Sequence, residues 1–202
     1  MSRRAKFIAL GSAIAVATIA LVAGWMLWNR ESYAFHGGEI QPVRAAAPIE
    51  LTDQRGQPFS LADQAGAVVV LYFGYTACPD ACPTTLSDWI SVKEELGKDA
   101  ERVRFVMVTV DPERDTPERL GEYLAFFDPE FIGLAGTPEQ IQAITQDYGV
   151  AVVKREFDES AMSYLVDHTT STFVIDTKGN LRLVYAHGTD PELIAEDIRH
   201  LL

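Results

Sequence analysis

The sequence has only two cysteines in 202 residues, Cys78 and Cys82, which excludes a scaffold braced by several disulfides. It has no internal repeat and no low-complexity tract, which sets aside solenoid and fibrous architectures. Basic residues are scarce, with 17 Lys and Arg against 29 Asp and Glu and a net charge of −12. Residues 1–30 hold four of the basic residues and no acidic one, so the remainder carries 13 basic against 29 acidic residues, a net of −16. Such a surface lacks the Lys/Arg patches that neutralise phosphates, and nucleic acid is not an expected partner. The charge suits a basic protein partner or a cationic cargo, or serves solubility alone.

Long hydrophobic stretches are also few, and one stands out. Residues 7–28, from Phe7 to Trp28, form an uncharged apolar run of 22 residues. About 20 apolar residues are needed for a helix to cross a bilayer. A secretory h-region is shorter, about 7–15 residues. The run ends in Trp25-Met26-Leu27-Trp28, which suits an interfacial aromatic anchor. An uncleaved signal anchor is the expectation, and a long signal peptide cut near Ala23-Gly24 is the alternative. Arg3, Arg4 and Lys6 precede the run and only Arg30 follows closely, so the N-terminus is expected in the cytoplasm and the C-terminal body outside it, periplasmic or at the cell surface.

After the run, residues 29–48 contain Gly37-Gly38, Pro42 and Ala45-Ala46-Ala47 and suggest a tether that includes His36. From there strands and helices alternate. Gln57–Leu61 suggests a short strand. Ala67–Phe73 (AVVVLYF) and Val103–Val110 (VRFVMVTV) suit buried strands. Pro83 to about Gly97 predicts a helix with Leu86, Trp89, Ile90 and Leu96 on one face. Further helices are expected over Pro117–Phe126, from Thr137-Pro138 to Tyr148, and from Asp190-Pro191 to Leu202. Val150–Val153 and Ala161–Val166 suggest a hairpin, Thr172–Asp176 (TFVID) a strand, and Leu181–Tyr185 an edge strand. The alternation indicates an α/β, thioredoxin-like fold: a central mixed sheet flanked by helices, with a β-hairpin insertion and one preceding transmembrane helix.

Both cysteines lie in Phe73-Gly74-Tyr75-Thr76-Ala77-Cys78-Pro79-Asp80-Ala81-Cys82-Pro83, between a core strand and a helix. That is where α/β sheets present ligands and reactive groups. Each precedes a proline, which disfavours helical backbone, so Cys82 is expected just ahead of the helix and Cys78 on a stiff loop. A nearby helix N-terminus favours thiolate. Three uses are open: a structural disulfide, a thiol–disulfide exchange pair, or two ligands of a metal site. The disulfide would close a loop of only five residues, a small constraint. A metal site needs a third donor, and histidine is the commonest. Of the four histidines, His36 falls in the tether, His200 ends the last helix, and His187 lies in an Ala-His-Gly loop. His168, in Val166-Asp167-His168-Thr169-Thr170, leads directly into TFVID, at the loop that faces the cysteines in a thioredoxin-like fold. Two thiolates and an imidazole suit Cu(I), or Zn(II) with an added ligand.

FGYTACPDACP, VDPERDTP and DHTTSTFVID, in this order, resemble the Sco/SenC family of copper chaperones over residues 38–202. The resemblance implies copper, Cu(I) or Cu(II), bound by Cys78, Cys82 and His168, and a role in assembling the CuA centre of cytochrome c oxidase. The implied partners are oxidase subunit II and an upstream copper donor or thiol reductant. It places Asp111 and Asp115 near the metal loop, as supports of the site or contacts for a partner; Asp115-Thr116-Pro117 also suits a plain helix start. The rival role is reduction of the subunit II cysteines. Against it stand three residues between the cysteines, where the redox motif has two, and Thr170 at the place where redox-active relatives of the fold commonly carry a cis-proline. A peroxiredoxin-like role has only the fold and the loop residues Thr76 and Cys78 behind it. The expected layout is a cytoplasmic N-terminus over 1–6, a transmembrane anchor over 7–28, a tether over 29–48 and a thioredoxin-like copper-binding domain over 49–202.

Overall fold

A computed structural model describes residues 18–21, 33–156 and 164–202. Among the described residues no helix is long and apolar enough to cross a membrane. The anchor expected over 7–28 lies outside the described residues except for 18–21, which are helical. The chain divides into two units, Met1–Ala34 and Phe35–Leu202; the second carries the fold described below.

Its elements are β1 (Gly38–Ala45), β2 (Glu50–Asp53), β3 (Pro58–Ser60), β4 (Val68–Gly74), α1 (Ala81–Leu96), β5 (Val103–Thr109), α2 (Pro117–Ala125), β6 (Ile132–Ala135), α3 (Pro138–Asp147), β7 (Val152–Glu156), β8 (Tyr164–His168), β9 (Thr172–Ile175), β10 (Asn180–Tyr185) and α4 (Pro191–Leu201). Eight strands form one mixed sheet in the order β1-β10-β9-β4-β5-β6-β2-β3, while β7 and β8 form a separate hairpin. β4 is buried along its whole length. It pairs parallel with β5 and antiparallel with β9, and a strand covered on both faces needs such a continuous apolar run. Cys82, Thr85, Leu86, Trp89, Val92 and Leu96 make the buried stripe of α1 at helical spacing. Trp89 fills the space over the sheet, with its ring centroid 5.4 Å from both Phe105 and Phe131.

Several boundaries differ from the sequence expectation: the hairpin strands, expected over Val150–Val153 and Ala161–Val166, run Val152–Glu156 and Tyr164–His168, so His168 ends a strand. α1 begins at Ala81, so Cys82 lies in its first turn, not ahead of it. Pro83 is tolerated there because the first four helical N–H groups have no intrahelical acceptor. Residues 38–45, expected as tether, form β1, which pairs antiparallel with β10; β10 is therefore not an edge. The segment is largely exposed and mixes Ile40 and Val43 with Glu39, Gln41 and Arg44, so its strand character comes from pairing with β10 and not from a clean pattern of its own. Just before it the buried Asp197 of α4 accepts the backbone N–H groups of His36 (2.9 Å) and Gly37 (2.9 Å) and the hydroxyl of Tyr185 (2.7 Å).

These contacts predict that Asp197→Ala, which strips three donors of their acceptor, lowers stability by about 2–4 kcal/mol. Urea unfolding followed by tryptophan fluorescence measures this.

Candidate metal centre

Strand direction brings the site together. β4 and β5 are parallel, so the loops that follow them leave the same end of the sheet, and Val110 N–H ties them by donating to Gly74 O at 2.8 Å. β9 is antiparallel to β4, with Thr172 opposite Tyr72, so the chain entering β9 arrives at that same end. His168, the last residue of β8, thus meets the cysteine loop. The Sγ atoms of Cys78 and Cys82 and a ring nitrogen of His168 all lie within 4.8 Å of one another, and Cys82 Sγ is 3.6 Å from His168 Nε2. Among the described residues this is the one group of three or more His, Cys, Asp or Glu side chains arranged to hold a metal ion. An ion bound about 2.3 Å from sulfur and 2.0 Å from nitrogen in a trigonal plane would set its donors about 3.7–4.0 Å apart, so the preformed spacing needs little adjustment.

The surroundings orient each donor. His168 Nδ1 lies 3.0 Å from Thr169 O, which can only accept. The proton is therefore on Nδ1, and the Nε2 lone pair faces the sulfurs, the usual arrangement of a metal-binding histidine. Tyr72 and Tyr75 pack edge-on to the imidazole, each with centroids 5.8 Å apart. Gly74 makes room for the inner sulfur: a Cβ there would meet Tyr72 Cε1 at 2.6 Å and Cys82 Sγ at 3.0 Å. Cys82 is fully buried, and Tyr72 O–H approaches its sulfur at 3.6 Å. Cys78 is partly exposed, in a cleft lined by Tyr75, Pro79, Asp80, Asp167, His168 and Thr170.

Asp111 and Asp115 are not among the grouped donors. Asp115 accepts Thr76 N–H at 3.0 Å, Thr76 O–H at 2.6 Å and Thr109 O–H at 2.7 Å, bracing the loop two residues before Cys78. Burial pushes its carboxyl pKa up, and the threonine hydrogen bonds oppose that. Asp111 pairs with Arg114 and accepts from Tyr164 O–H at 2.7 Å. Both carboxylates face inward, with side chains 3% and 0% exposed. His36 Nε2 contacts Glu196, His187 Nδ1 contacts Thr85 Oγ1, and His200 Nδ1 contacts Glu196 O. The sequence reading does not single out Tyr75, Arg114 or Tyr164, although Tyr75 and Arg114 sit inside two of the three motifs.

Residues 38–202 match the family described as SCO1/SenC. A SCO2-like protein of Rickettsia felis is 36% identical over 157 residues, 78% of this chain and 77% of that relative. The chain belongs to the SCO1/SenC family. Among solved Sco structures, Bradyrhizobium japonicum ScoI with copper bound is 35% identical with a TM-score of 0.72, covering 79% of this chain and 100% of that one. Apo Sco1 from Thermus thermophilus is 37% identical with a TM-score of 0.74, covering 84% and 98%.

The two thiols of this Sco protein are inequivalent. Cys82 donates its thiol proton to Cys78 and, with Cys82 N–H (3.4 Å) and Asp80 N–H, holds the Cys78 thiol down to about 4 against the opposing effect of burial. Cys82 is pushed up by the same shared proton and by its burial. A thiol with a lowered pKa is ionised above that value and loses thiolate as pH falls through it. In the reduced, metal-free protein iodoacetamide should therefore label Cys78 and not Cys82, at a rate nearly flat from pH 5.5 to 7 and falling as pH drops through about 4. Mass spectrometry of the peptides checks this; preferential labelling of Cys82 would contradict it.

Proposed function

We propose that the protein is a membrane-anchored metallochaperone that binds copper through Cys78, Cys82 and His168 and delivers it to the CuA site of cytochrome c oxidase subunit II. The convergence of those three donors carries the reading. Two soft thiolates and an imidazole suit copper. A structural zinc takes four ligands, and among the described residues the group offers three. The copper-bound Bradyrhizobium relative supports the choice of metal. The oxidase client follows from the motif resemblance. The acidic domain suits a cationic cargo.

Delivery by ligand exchange needs no electron transfer: each incoming donor replaces one of the three. Cys82 is fully buried, while Cys78 and His168 stand at the cleft, so an outer donor yields first and Cys82 last. The thiols must be reduced, which calls for an upstream thiol reductant as well as a copper donor. The apolar run over 7–28, with Arg3, Arg4 and Lys6 before it, supports a single-pass anchor with residues 1–6 cytoplasmic and the domain on the extracytoplasmic side.

The lowered Cys78 thiol favours a second reading. Its thiolate would attack a subunit II disulfide, Cys82 would resolve the mixed disulfide, and the Cys78–Cys82 disulfide formed would be re-reduced by a thiol donor. The two readings part at His168. In the reduced protein, Cu(II) should raise a thiolate-to-copper charge-transfer band that Cys78→Ser abolishes. His168→Ala should weaken copper binding on the order of 100-fold or more, since even loss of an outer hydrogen-bond partner costs about 10–100-fold, yet leave thiol exchange largely intact. Oxidase activity of a strain carrying His168→Ala decides: full assembly would end the chaperone reading and leave the reductase.

A further inference from the structure

His168 is carried by the β7–β8 hairpin, and among the described residues those strands pair only with each other. An isolated two-stranded hairpin is marginally stable at best in water. Tyr164 and Val166 of β8 enter the core, but Val152 and Val153 of β7 are 38% and 56% exposed. Among the described residues, most of the polar ties that hold the hairpin to the domain converge on residues 111–114. Tyr164 O–H donates to Asp111 Oδ1 at 2.7 Å, and Lys154 Nζ to Glu113 at 2.8 Å. Arg114 contributes most. It pairs with Asp111 through Nε, donates from Nη1 to Tyr164 O at 3.0 Å, and lies over the Tyr164 ring at 3.7 Å from its centroid. The same guanidinium is 5.7 Å from the Tyr75 ring. Tyr75 in turn packs on His168, and its hydroxyl accepts Val166 N–H at 3.3 Å.

We propose that Arg114 is the positioning residue for His168. Its guanidinium clamps β8 to the DPERDT loop by a fork of hydrogen bonds and a stack at once, and so sets the third donor against the two sulfurs without touching any of them. Lysine cannot replace it, because an ammonium offers neither the planar fork nor the stacking face. The copper consequence of the clamp rests on the proposed metal site; the geometric part does not.

The test uses the full-length protein in detergent micelles, with two readouts. In the metal-free protein, Arg114→Ala should speed amide hydrogen exchange in β8 about tenfold or more, with β4 and β5 unchanged. On Cu(II) titration the variant should keep the thiolate charge-transfer band, lose the imidazole nitrogen coupling in the electron paramagnetic resonance spectrum, and bind about 10–100-fold more weakly. Arg114→Ala should add nothing to His168→Ala in the double variant, and Arg114→Lys should not restore wild-type values. Exchange in β8 within twofold of wild type, a double variant weaker than His168→Ala alone, or full rescue by lysine would each overturn the proposal. If Arg114→Ala fails to fold, Tyr164→Phe, which removes only the hydroxyl's bonds to Asp111 and Glu113, should give a smaller rise in β8 exchange, and no rise overturns it. If the wild-type protein takes up no copper, the metal reading fails while the exchange data still decide the clamp.

Discussion

The parallel pairing of β4 with β5, together with the antiparallel approach of β9 to β4, is the constraint on which the site depends. Parallel neighbours send their following loops to one end of the sheet, and an antiparallel third strand begins there. Cysteine loop, DPERDT loop and the segment before TFVID then share one small volume, although Cys82 and His168 are 86 residues apart. The burial of β4 makes this end rigid. Every residue of that strand is buried, so a shift of register would drive apolar side chains against the wrong neighbours.

Rigidity at the sheet end is passed outward by polar side chains. Asp115 satisfies Thr76 on the cysteine loop and Thr109 at the end of β5 with one carboxylate. The start of α1 supplies N–H groups to Cys78, and Gly74 leaves room for Cys82. One sulfur is thereby ionised and accessible while its neighbour is protonated and enclosed. A bound ion would sit between a fixed inner ligand and two outer ones.

The third donor is secured differently. β8 has no ladder to the main sheet among the described residues, and its attachment runs through Asp111, Glu113, Arg114 and Tyr75. This accounts for a motif that contains two aspartates yet supplies no ligand. Asp115 serves the cysteine loop and Asp111 serves the hairpin, so one short segment after β5 supports both halves of the site.

Much of this was legible in the chain itself. AVVVLYF and VRFVMVTV announced the core strands by their apolar runs, Thr137-Pro138 announced α3 by its cap, and the three motifs marked the segments that meet. These are local signals, set by side-chain spacing and backbone restriction. They failed where a distant partner outweighs local preference. β1 is exposed and interrupted by a proline, yet becomes a strand because β10 presents unpaired backbone groups to it. Cys82 enters a helix despite Pro83, because a first-turn proline removes only an N–H that lacks an intrahelical acceptor. By itself the sequence determined the α/β alternation, the cysteine loop ahead of a helix and the identity of the three motifs. Only the tertiary structure decided which thiol is buried, that both aspartates turn inward, and that Arg114 lies beneath the strand bearing His168, because burial and charge pairing at each of these atoms come from segments remote in the chain.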